Sequence, residues 1–327
     1  FIAVSIAILV FGLILLVLTP KAEKEEKFHM DTKYQLFLLL LPFLALCFAF
    51  AYLPLLGWRY AFFDYKSGET LTRDNFVGFK WFAYLFQNQA TRQDLIRVLR
   101  NTLAMSGLGL ATSWCAMAFA IFLCEIKNLR FRRIVQTFTT IPNFISWVLV
   151  YAVAFAIFST DGFVSSLLVN NGILDSGVNF LMDNSHMWLK MLAWGMWKGL
   201  GWSAIIYIAA ISGIDQQLYE AAEIDGAGRF QKMWNITVPS LMPTFMVLLL
   251  MAIAGILNNG MDQYLVFENA YNTDTITVLD LYVYKLGINS GRVPLATVVC
   301  MLKSVISVVL LFGANKISKL VRGESII

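Results

Sequence analysis

The chain has 327 residues, of which 58% are hydrophobic and only 14% are charged, whereas average soluble domains are about half apolar and about a quarter charged. This composition excludes an ordinary soluble domain and predicts an all-α polytopic membrane protein, built as a bundle of spanning helices. The formal net charge of +4 is too small to indicate nucleic acid as a partner.

Seven stretches are long and apolar enough to cross a bilayer, because a hydrocarbon core of about 30 Å requires about 20 mostly apolar residues in a helix. The predicted spans, in chain order, are Phe1–Leu18, Tyr34–Leu56, Leu95–Cys124, Ile134–Phe158, Trp188–Ser212, Leu241–Leu265 and Pro294–Ile317. The first stretch has no basic segment before it and no A-x-A-like cleavage site after it. We therefore expect a retained anchor helix and not a signal peptide.

The distribution of Lys and Arg orients these spans. Basic residues are sparse in three alternate segments, at 57–96, 159–190 and 258–292. They are denser in the other connections, at 21–33, 125–133, 215–239 and the C-terminal tail. Because cytoplasmic loops carry the excess of Lys and Arg, we expect the N-terminus outside, the C-terminus in the cytoplasm and segment 215–239 on the cytoplasmic face.

Two segments on the predicted outer side have apolar character. FVGFKWFAYLF (76–86) crowds aromatic residues around Lys80, which suits either a helix at the membrane interface or ordinary packing of an outer loop. The loop 159–190 mixes turn residues with short apolar pieces, which predicts a folded external cap. Arg97 and Arg100 are expected to reach lipid headgroups, although an acidic substrate would also suit them.

Residues with metal or redox chemistry are scattered. His29 and His186 are isolated and are expected on opposite sides of the membrane, so they predict no metal site. Glu125 opens a basic turn and is expected to be a solvated helix end. The cysteines lie in or at the ends of apolar runs without CxxC spacing, which favours structural packing over a metal or disulfide framework; they are Cys47, Cys115, Cys124 and Cys300.

Segment 215–239 is polar overall but contains an apolar set that a solvated loop would not need. Asp215 is a good N-cap for a short helix from Gln216, and Gly226 can take the left-handed position that ends it. A second short helix is predicted over 227–235, with Pro239 marking entry to the next span. Its apolar stripe suits either a groove in a partner protein or a surface of lipid headgroups; the stripe is Phe230, Met233 and Trp234, beside Arg229 and Lys232.

The spacing within this segment resembles the EAA loop of permease subunits of binding-protein-dependent ABC importers. Glu220-Ala221-Ala222, then Gly226 after three residues, then Ile236-Thr237-Val238-Pro239 after nine, follows EAA-x₃-G-x₉-I-x-L-P with Val in place of Leu. Three further stretches are similar to sugar-importer permeases of the polysaccharide and oligosaccharide subfamily: TTIPNFISW, WKGLGWSAIIYIAAISGIDQQLYEAAEIDGAG and MLKSVISVVLLFGANKISK. The resemblance covers about residues 34–325 and is weakest in the first span and the outer loops.

This resemblance implies a fold and a set of partners. The core would be the six-helix type I importer fold with one extra N-terminal span. The regions would be an anchor helix and charged linker at 1–33, a span and outer loop at 34–94, and the permease core at 95–327. The coupling helix, which enters a groove of an ATPase subunit, would lie in 215–239; the residues carried over are Glu220, Ala221, Ala222, Asp225, Gly226, Arg229 and Phe230.

The chain has no GxxxxGK[ST] phosphate loop, so ATP and Mg²⁺ would bind on separate subunits. We expect no catalytic residue, metal or cofactor in this chain. The implied partners are a second, homologous permease, two cytoplasmic ATPases, an extracytoplasmic solute-binding protein, a sugar and membrane lipid. The expected location is the plasma (cytoplasmic, inner) membrane of a prokaryote.

Polar and aromatic residues at span depth are candidates for the sugar pathway. Sugars bind through hydrogen bonds and through stacking on aromatic faces, and a Lys at mid-span costs about 2.5–3.5 kcal/mol on insertion scales. Interfacial Trp residues, or a Lys198 paired with a carboxylate of the second permease, would explain the same pattern. Gly195 and Gly199 form a GxxxG that predicts close helix contact. The candidates are Asn143, Trp147, Tyr151, Trp194, Lys198, Trp202, Asn258, Asn259 and Gln263.

Two other function classes are weaker. An ion-gradient-driven secondary sugar transporter would tend to show inverted repeats and buried carboxylates, and no repeat is visible in the sequence. A membrane-embedded transferase would need clustered acidic or histidine residues at the interface, and none stands out.

Overall fold

The computed structural model describes residues 31–322, and its regular secondary structure is helical, apart from one isolated bridge between Phe63 and Phe76. The chain divides into two compact units. The first unit ends at Gly57 and the second begins at Trp58. The predicted first span, Phe1–Leu18, and His29 lie outside the described residues.

In the first unit, helix α1 (Thr32–Cys47) is followed by a π-helical turn (Phe48–Tyr52), and a 3₁₀ segment (Leu53–Phe62) continues past the unit boundary. Its sequence is apolar around the whole helix, and none of the residues of α1 is buried. A helix that is apolar on every face is typical of a membrane span. Helix α1 therefore overlaps the second predicted span, Tyr34–Leu56, and begins two residues before it.

The second unit contains fourteen further helices among the described residues. They are α2 (Lys80–Gln87), α3 (Gln89–Ala111), α4 (Trp114–Cys124), α5 (Leu129–Thr140), α6 (Trp147–Phe158), α7 (Phe163–Asn170), α8 (Met187–Ser212), α9 (Gln216–Ile224), α10 (Arg229–Lys232), α11 (Val238–Ala254), α12 (Asp262–Phe267), α13 (Thr273–Ile276), α14 (Leu279–Tyr284) and α15 (Val293–Arg322). Three shorter helical turns join them: a 3₁₀ turn at Ile141–Phe144, and π turns at Met233–Thr237 and Lys285–Asn289.

Within residues 31–322, five helical segments are long and apolar enough to cross a membrane, and a sixth arises if the bent pair α8 and α9 counts as one span. The five are Thr32–Phe62, Gln89–Cys124, Trp147–Asn170, Arg229–Ala254 and Val293–Lys316. These six segments correspond to the second to seventh predicted spans. The fold class is thus confirmed as all-helical with several spans over the described residues.

The fourth predicted span, Ile134–Phe158, is wrong as a single helix. The helix α5 ends at Thr140, the 3₁₀ turn at Ile141–Phe144 follows, and α6 begins again at Trp147. Pro142 lacks the N–H that an α-helix would need there, and the hydroxyl of Ser146 accepts a hydrogen bond from Leu149 N to cap α6. The apolar run 134–158 therefore contains parts of two helices and a break between them.

The sixth predicted span, Leu241–Leu265, also ends too late. Helix α11 stops at Ala254, and Gly260 takes a left-handed conformation with φ of 72° before α12 begins at Asp262. The side chain of Asn259 donates to the hydroxyl of Ser106 in α3 at 3.0 Å and holds this turn against α3. The break lets polar side chains leave the helix at that point.

Helix α8 is central to the second unit and packs against α3, α4, α5 and α11. The GxxxG prediction chose the wrong glycines: a Cβ added to Gly199 would meet no atom within 4 Å, and one on Gly195 would meet only the side chain of Gln263. The close approach occurs at Gly201, where a Cβ would lie 2.8 Å from Thr140 N and closer still to the Thr139 carbonyl. The crossing of α5 and α8 therefore depends on Gly201.

Gly201→Ala is expected to lower the free energy of unfolding by about 1–3 kcal/mol, because overpacking a tight backbone contact forces the helices apart. Gly199→Ala, two residues earlier on the same helix, is the matched control and should have little effect. Thermal unfolding of the purified protein in detergent measures both. Equal melting temperatures for the two variants would contradict the contact.

On the predicted outer side, α3 is pinned to the 268–279 segment. The buried amide of Asn101 donates to the carbonyls of Asp274 and Thr277 at 2.9 and 3.1 Å, and Arg97 forms an ion pair with Asp274. The guanidinium of Arg100 lies 5.9 Å from the centre of the Trp188 ring. Arg97 and Arg100 thus contact protein groups, which corrects the expectation that they reach headgroups.

The two outer segments are folded. The Trp81 indole of α2 donates to the Phe63 carbonyl at 3.1 Å and Leu85 is fully buried, so this face of α2 packs as an outer loop would, while Phe79 and Phe86 stay exposed. In the loop 159–190, the Phe180 amide donates to the Phe158 carbonyl at 3.0 Å. The cap prediction is confirmed as a folded segment, and all four cysteines are free thiols.

Candidate functional site

Segment 215–226 folds as its local sequence predicts. The carboxylate of Asp215 accepts a hydrogen bond from Gln217 N at 2.9 Å and caps α9, which bends 70° away from α8. Gly226 has φ of 76°, and Ala227 N donates to the Ala222 carbonyl at 2.8 Å. A left-handed glycine with such a bond closes the end of a helix. Both predictions, the N-cap and the glycine turn, are confirmed.

The second helix of the segment differs from the prediction of 227–235. It begins at Arg229 and continues through the π turn at Met233–Thr237 into α11 without interruption. Pro239 therefore lies inside a continuous helical segment and does not mark its start. The wider π turn just before Pro239 accommodates a residue that has no N–H to donate.

The apolar stripe of the segment divides between surface and core. Phe230 and Trp234 are 75% and 74% exposed, and Ile224 at the end of α9 is 87% exposed. Met233, predicted to belong to the same stripe, is buried and packs in a cluster with Ala204, Tyr207 and other side chains of α4, α8 and α11. We call the three most exposed large apolar side chains of this segment the exposed knob: Ile224, Phe230 and Trp234.

Charged side chains fix the knob to the rest of the unit. Arg229 forms an ion pair with Glu125 and also donates to the Glu125 carbonyl, so Glu125 is a tether between the α4–α5 turn and α10, and not the solvated helix end that was expected. Lys232 pairs with Glu223 at 2.6 Å, and its hydrogen bond and charge hold the pKa of the Glu223 carboxyl below its usual value. The carried-over residues Glu220, Ala221 and Asp225 are exposed, and Ala222 is partly buried.

A cavity of about 590 Å³ lies between α3, α4, α8, α11 and α12. Of the predicted pathway residues, Trp202 and Gln263 line it, as do Gly195 and Gly199 of the GxxxG. Residues with hydroxyl groups that were not among the predicted candidates also line the cavity: Thr112, Ser113, Ser203, Tyr207 and Tyr264. None of its lining residues is charged, so the wall offers neutral hydrogen-bonding groups and one indole ring.

Three predicted residues meet at the break between α5 and α6. The ammonium group of Lys198 donates to the carbonyls of Pro142 and Asn143 at 3.1 and 2.8 Å, and it lies 5.5 Å from the centre of the Trp147 ring. Among the described residues, no carboxylate forms an ion pair with Lys198. The side chain of Lys303, in contrast, pairs with Asp280.

The other predicted residues lie elsewhere. Tyr151 and Trp194 pack against Phe267, and Trp194 lines a second, largely apolar cavity of about 550 Å³. Asn259 holds the turn after α11, and Asn258 is exposed. Gln263 donates to the Met191 carbonyl at 2.7 Å while lining the first cavity. The nine candidates therefore form several groups and not one site.

Within the range 31–322, no cluster of His, Cys, Asp and Glu could hold a metal ion. Two residues that matter structurally were missed by sequence reasoning: Gly201 and Glu125. Neither carries a local signal, because each is defined by a partner distant in sequence, Thr139 for one and Arg229 for the other.

A family model and two relatives each match more than half of this chain. Residues 99–322 match the family described as "Binding-protein-dependent transport system inner membrane component". Protein LplB of Bacillus subtilis (strain 168) is 37% identical over 286 residues, 87% of this chain and 88% of LplB. The polygalacturonan/rhamnogalacturonan transport system permease protein YteP of the same organism is 34% identical over 303 residues, 91% of this chain and 92% of YteP.

Two solved structures have similar folds. One is a bacterial ABC transporter involved in the import of the acidic polysaccharide alginate; its matching chain has a TM-score of 0.78 and 30% identity, covering 89% of this chain and 96% of that one. The other is a bacterial alginate ABC transporter in complex with alginate pentasaccharide-bound periplasmic protein, with the same TM-score and identity, covering 92% and 100%.

Proposed function

Because this chain belongs to the family of binding-protein-dependent transport system inner membrane components, we propose that it is one permease subunit of an ATP-driven sugar importer. Its substrate is an oligosaccharide or a fragment of a polysaccharide. The observation that carries the proposal is the exposed knob, held by the glycine turn at Gly226 within the EAA-type spacing. The names and titles of the similar proteins support a carbohydrate substrate.

The importer contains further subunits. A second, homologous permease completes the pathway, two cytoplasmic ATPases bind ATP and Mg²⁺, and an extracytoplasmic binding protein delivers the sugar. The alginate transporter solved with its sugar-bound periplasmic protein supports this assembly. The chain itself catalyses no covalent step.

The proposed topology places segment 215–239 and the C-terminus in the cytoplasm of a prokaryote and the N-terminus outside. The proposed count over residues 31–322 is six spans, and the expected anchor helix lies outside the described residues. In this topology, residues 34–94 form one span with its outer loop, and residues 95–327 form the permease core. The clustering of Lys and Arg in the segments assigned to the cytoplasm supports this orientation.

Motion enters the chain through the exposed knob. Helix α9 follows α8 after a three-residue link, and α8 lines the cavity of about 590 Å³ with Trp202, so a push on α9 reaches the cavity wall along one helix. The ion pair of Arg229 with Glu125 transfers the same push to the α4–α5 turn. The two routes would turn ATP-driven closure of the ATPases into opening and closing of the pathway.

Trp202→Ala and Gln263→Leu are each expected to reduce sugar uptake about tenfold, because each removes one stacking or hydrogen-bonding group from the pathway wall. Trp114→Ala, an exposed Trp that does not line the cavity, is the matched control and should retain uptake. Uptake of labelled oligosaccharide into proteoliposomes, with binding protein and ATP supplied, measures all three. Unchanged uptake in both cavity variants would remove this cavity from the pathway.

Copurification tests the proposed function itself. The tagged chain, expressed with its neighbouring genes, should bring down an ATPase subunit and a second permease in fixed ratio, and transport should require ATP. A secondary transporter or a transferase would work as the isolated chain. Transport or group transfer by the chain alone would therefore refute the proposal.

A further inference from the structure

Lys198 lies near the middle of α8 and is partly buried, at a position in a span where an unpaired ammonium group is costly. Its three neighbours at the break are all electron-rich: the carbonyl oxygens of Pro142 and Asn143 and the face of the Trp147 ring. No carboxylate among the described residues pairs with it. The contacts of Lys198 are therefore those of a cation bound by backbone carbonyls.

The carbonyls at this break have room for such a partner. The Pro142 carbonyl accepts a hydrogen bond from Ile145 N at 3.2 Å and keeps a second lone pair, which the Lys198 ammonium group uses. The last carbonyls of a helix have no N–H donor within the helix, and they carry the negative end of the helix dipole. Pro142 cannot donate an N–H, and the chain reaches α6 through an extended residue at Ile145. In transporters with discontinuous helices, unwound carbonyls of this kind bind free cations.

We propose that Lys198 is a positioning residue whose ammonium group acts as the internal cation of the α5–α6 break and holds the interrupted span to α8. The break lies beside the cavity, because the Phe144 ring meets the Trp202 ring edge-on at 5.6 Å between centroids. The tight contact at Gly201 with Thr139 lies one turn further along the same helix face. These contacts make α8 and the break move together.

The proposal has a consequence for the importer. Helix α8 continues through a short link into α9, so displacement of the exposed knob reaches the break through Lys198 as well as reaching the cavity directly. This consequence depends on the proposed function. The contact between Lys198 and the break does not, and it can be measured without transport.

The test uses the assembled complex, with the four native cysteines replaced by alanine and new cysteines introduced by Phe144→Cys and Trp202→Cys. A short bifunctional thiol reagent links the two positions, and the yield is measured without ATP or sugar. Lys198→Met is expected to lower the yield about tenfold, as the loss of charge-assisted hydrogen bonds predicts. Lys198→Arg should retain the yield, and propylammonium should restore it in Lys198→Ala.

Lys190→Met is the matched control, because Lys190 is on the same helix and its ammonium group also donates to backbone carbonyls, those of Phe180 and Asp183. It should leave the yield unchanged. Equal yields for Lys198→Met and the parent would overturn the proposal. So would an equal loss in Lys198→Arg or Lys190→Met, or a failure of propylammonium to restore Lys198→Ala. A normal result here with no ATP-driven uptake by the parent would refute the importer and leave the Lys198 contact standing.

Discussion

Gly226→Pro is expected to abolish ATP-driven sugar uptake while the chain still inserts and assembles. Gly226 has φ of 76°, whereas proline fixes φ near −65°, and the substitution also removes the bond from Gly226 N to the Glu223 carbonyl at 3.1 Å. The turn between α9 and α10 must then adopt another conformation. This change displaces the side chains of the exposed knob. Uptake in proteoliposomes should fall to background, at least about a hundredfold, since a strained turn plus a lost bond costs about 3 kcal/mol or more.

Gly172→Pro is the matched control for this variant. Gly172 follows α7, a helix of similar length, has φ of 69° and donates from its N–H to the Val169 carbonyl at 2.9 Å. The local strain is therefore the same, but the site is in the cap loop away from the knob. We expect this variant to retain most uptake. Near-normal uptake by Gly226→Pro, or an equal loss in both variants, would contradict a specific role for the turn.

Phe230→Ala is expected to weaken binding of the ATPase subunit about thirtyfold. An exposed aromatic side chain that enters a partner's groove typically contributes at least about 2 kcal/mol, and tenfold in affinity corresponds to about 1.4 kcal/mol. The loss should be larger with Trp234→Ala in addition. Titration of purified ATPase subunit against the permease pair in nanodiscs measures the affinity directly.

Tyr271→Ala serves as the control for this second prediction, because Tyr271 is an aromatic residue of similar exposure, 68%, in the 268–279 segment assigned to the outside. It should leave the affinity unchanged. An unaltered affinity in Phe230→Ala would place the knob outside the ATPase interface.

Sequence alone could predict the features that depend on neighbouring residues. Asp215 caps a helix because its side chain reaches an amide two residues away, and Gly226 closes that helix because only glycine takes a positive φ without strain. Long apolar runs likewise located the candidate spans of residues 31–322, although they did not reveal the breaks within two of them. These predictions hold because the cause and the effect lie within a few residues.

Features that depend on distant partners could not be predicted in this way. Gly201 and the GxxxG pair are equivalent as local sequence, and only the position of Thr139 decides which glycine is the contact. The tether from Arg229 to Glu125 joins residues that are 104 positions apart. Contacts of this kind result from the packing of helices. They produce no periodic pattern that a single sequence could reveal.

Proline positions alone did not predict where helices break. Pro142 lies at a break in a predicted span, whereas Pro239 lies inside a continuous helical segment that was expected to begin there. The same lack of an N–H was relieved by a 3₁₀ turn in one case and a π turn in the other. Which of the two occurs depends on what packs against the turn, and at Pro142 that includes Lys198.

Photocrosslinking from the exposed knob in the whole importer tests the central claim most directly. A photoreactive amino acid in place of Phe230, activated in membranes that contain all subunits, is predicted to form its main adduct with a cytoplasmic ATPase subunit, and the yield should change when ATP is bound. Adducts with lipid alone, at a yield that ATP does not alter, would contradict the claim that this segment receives the force of ATP hydrolysis.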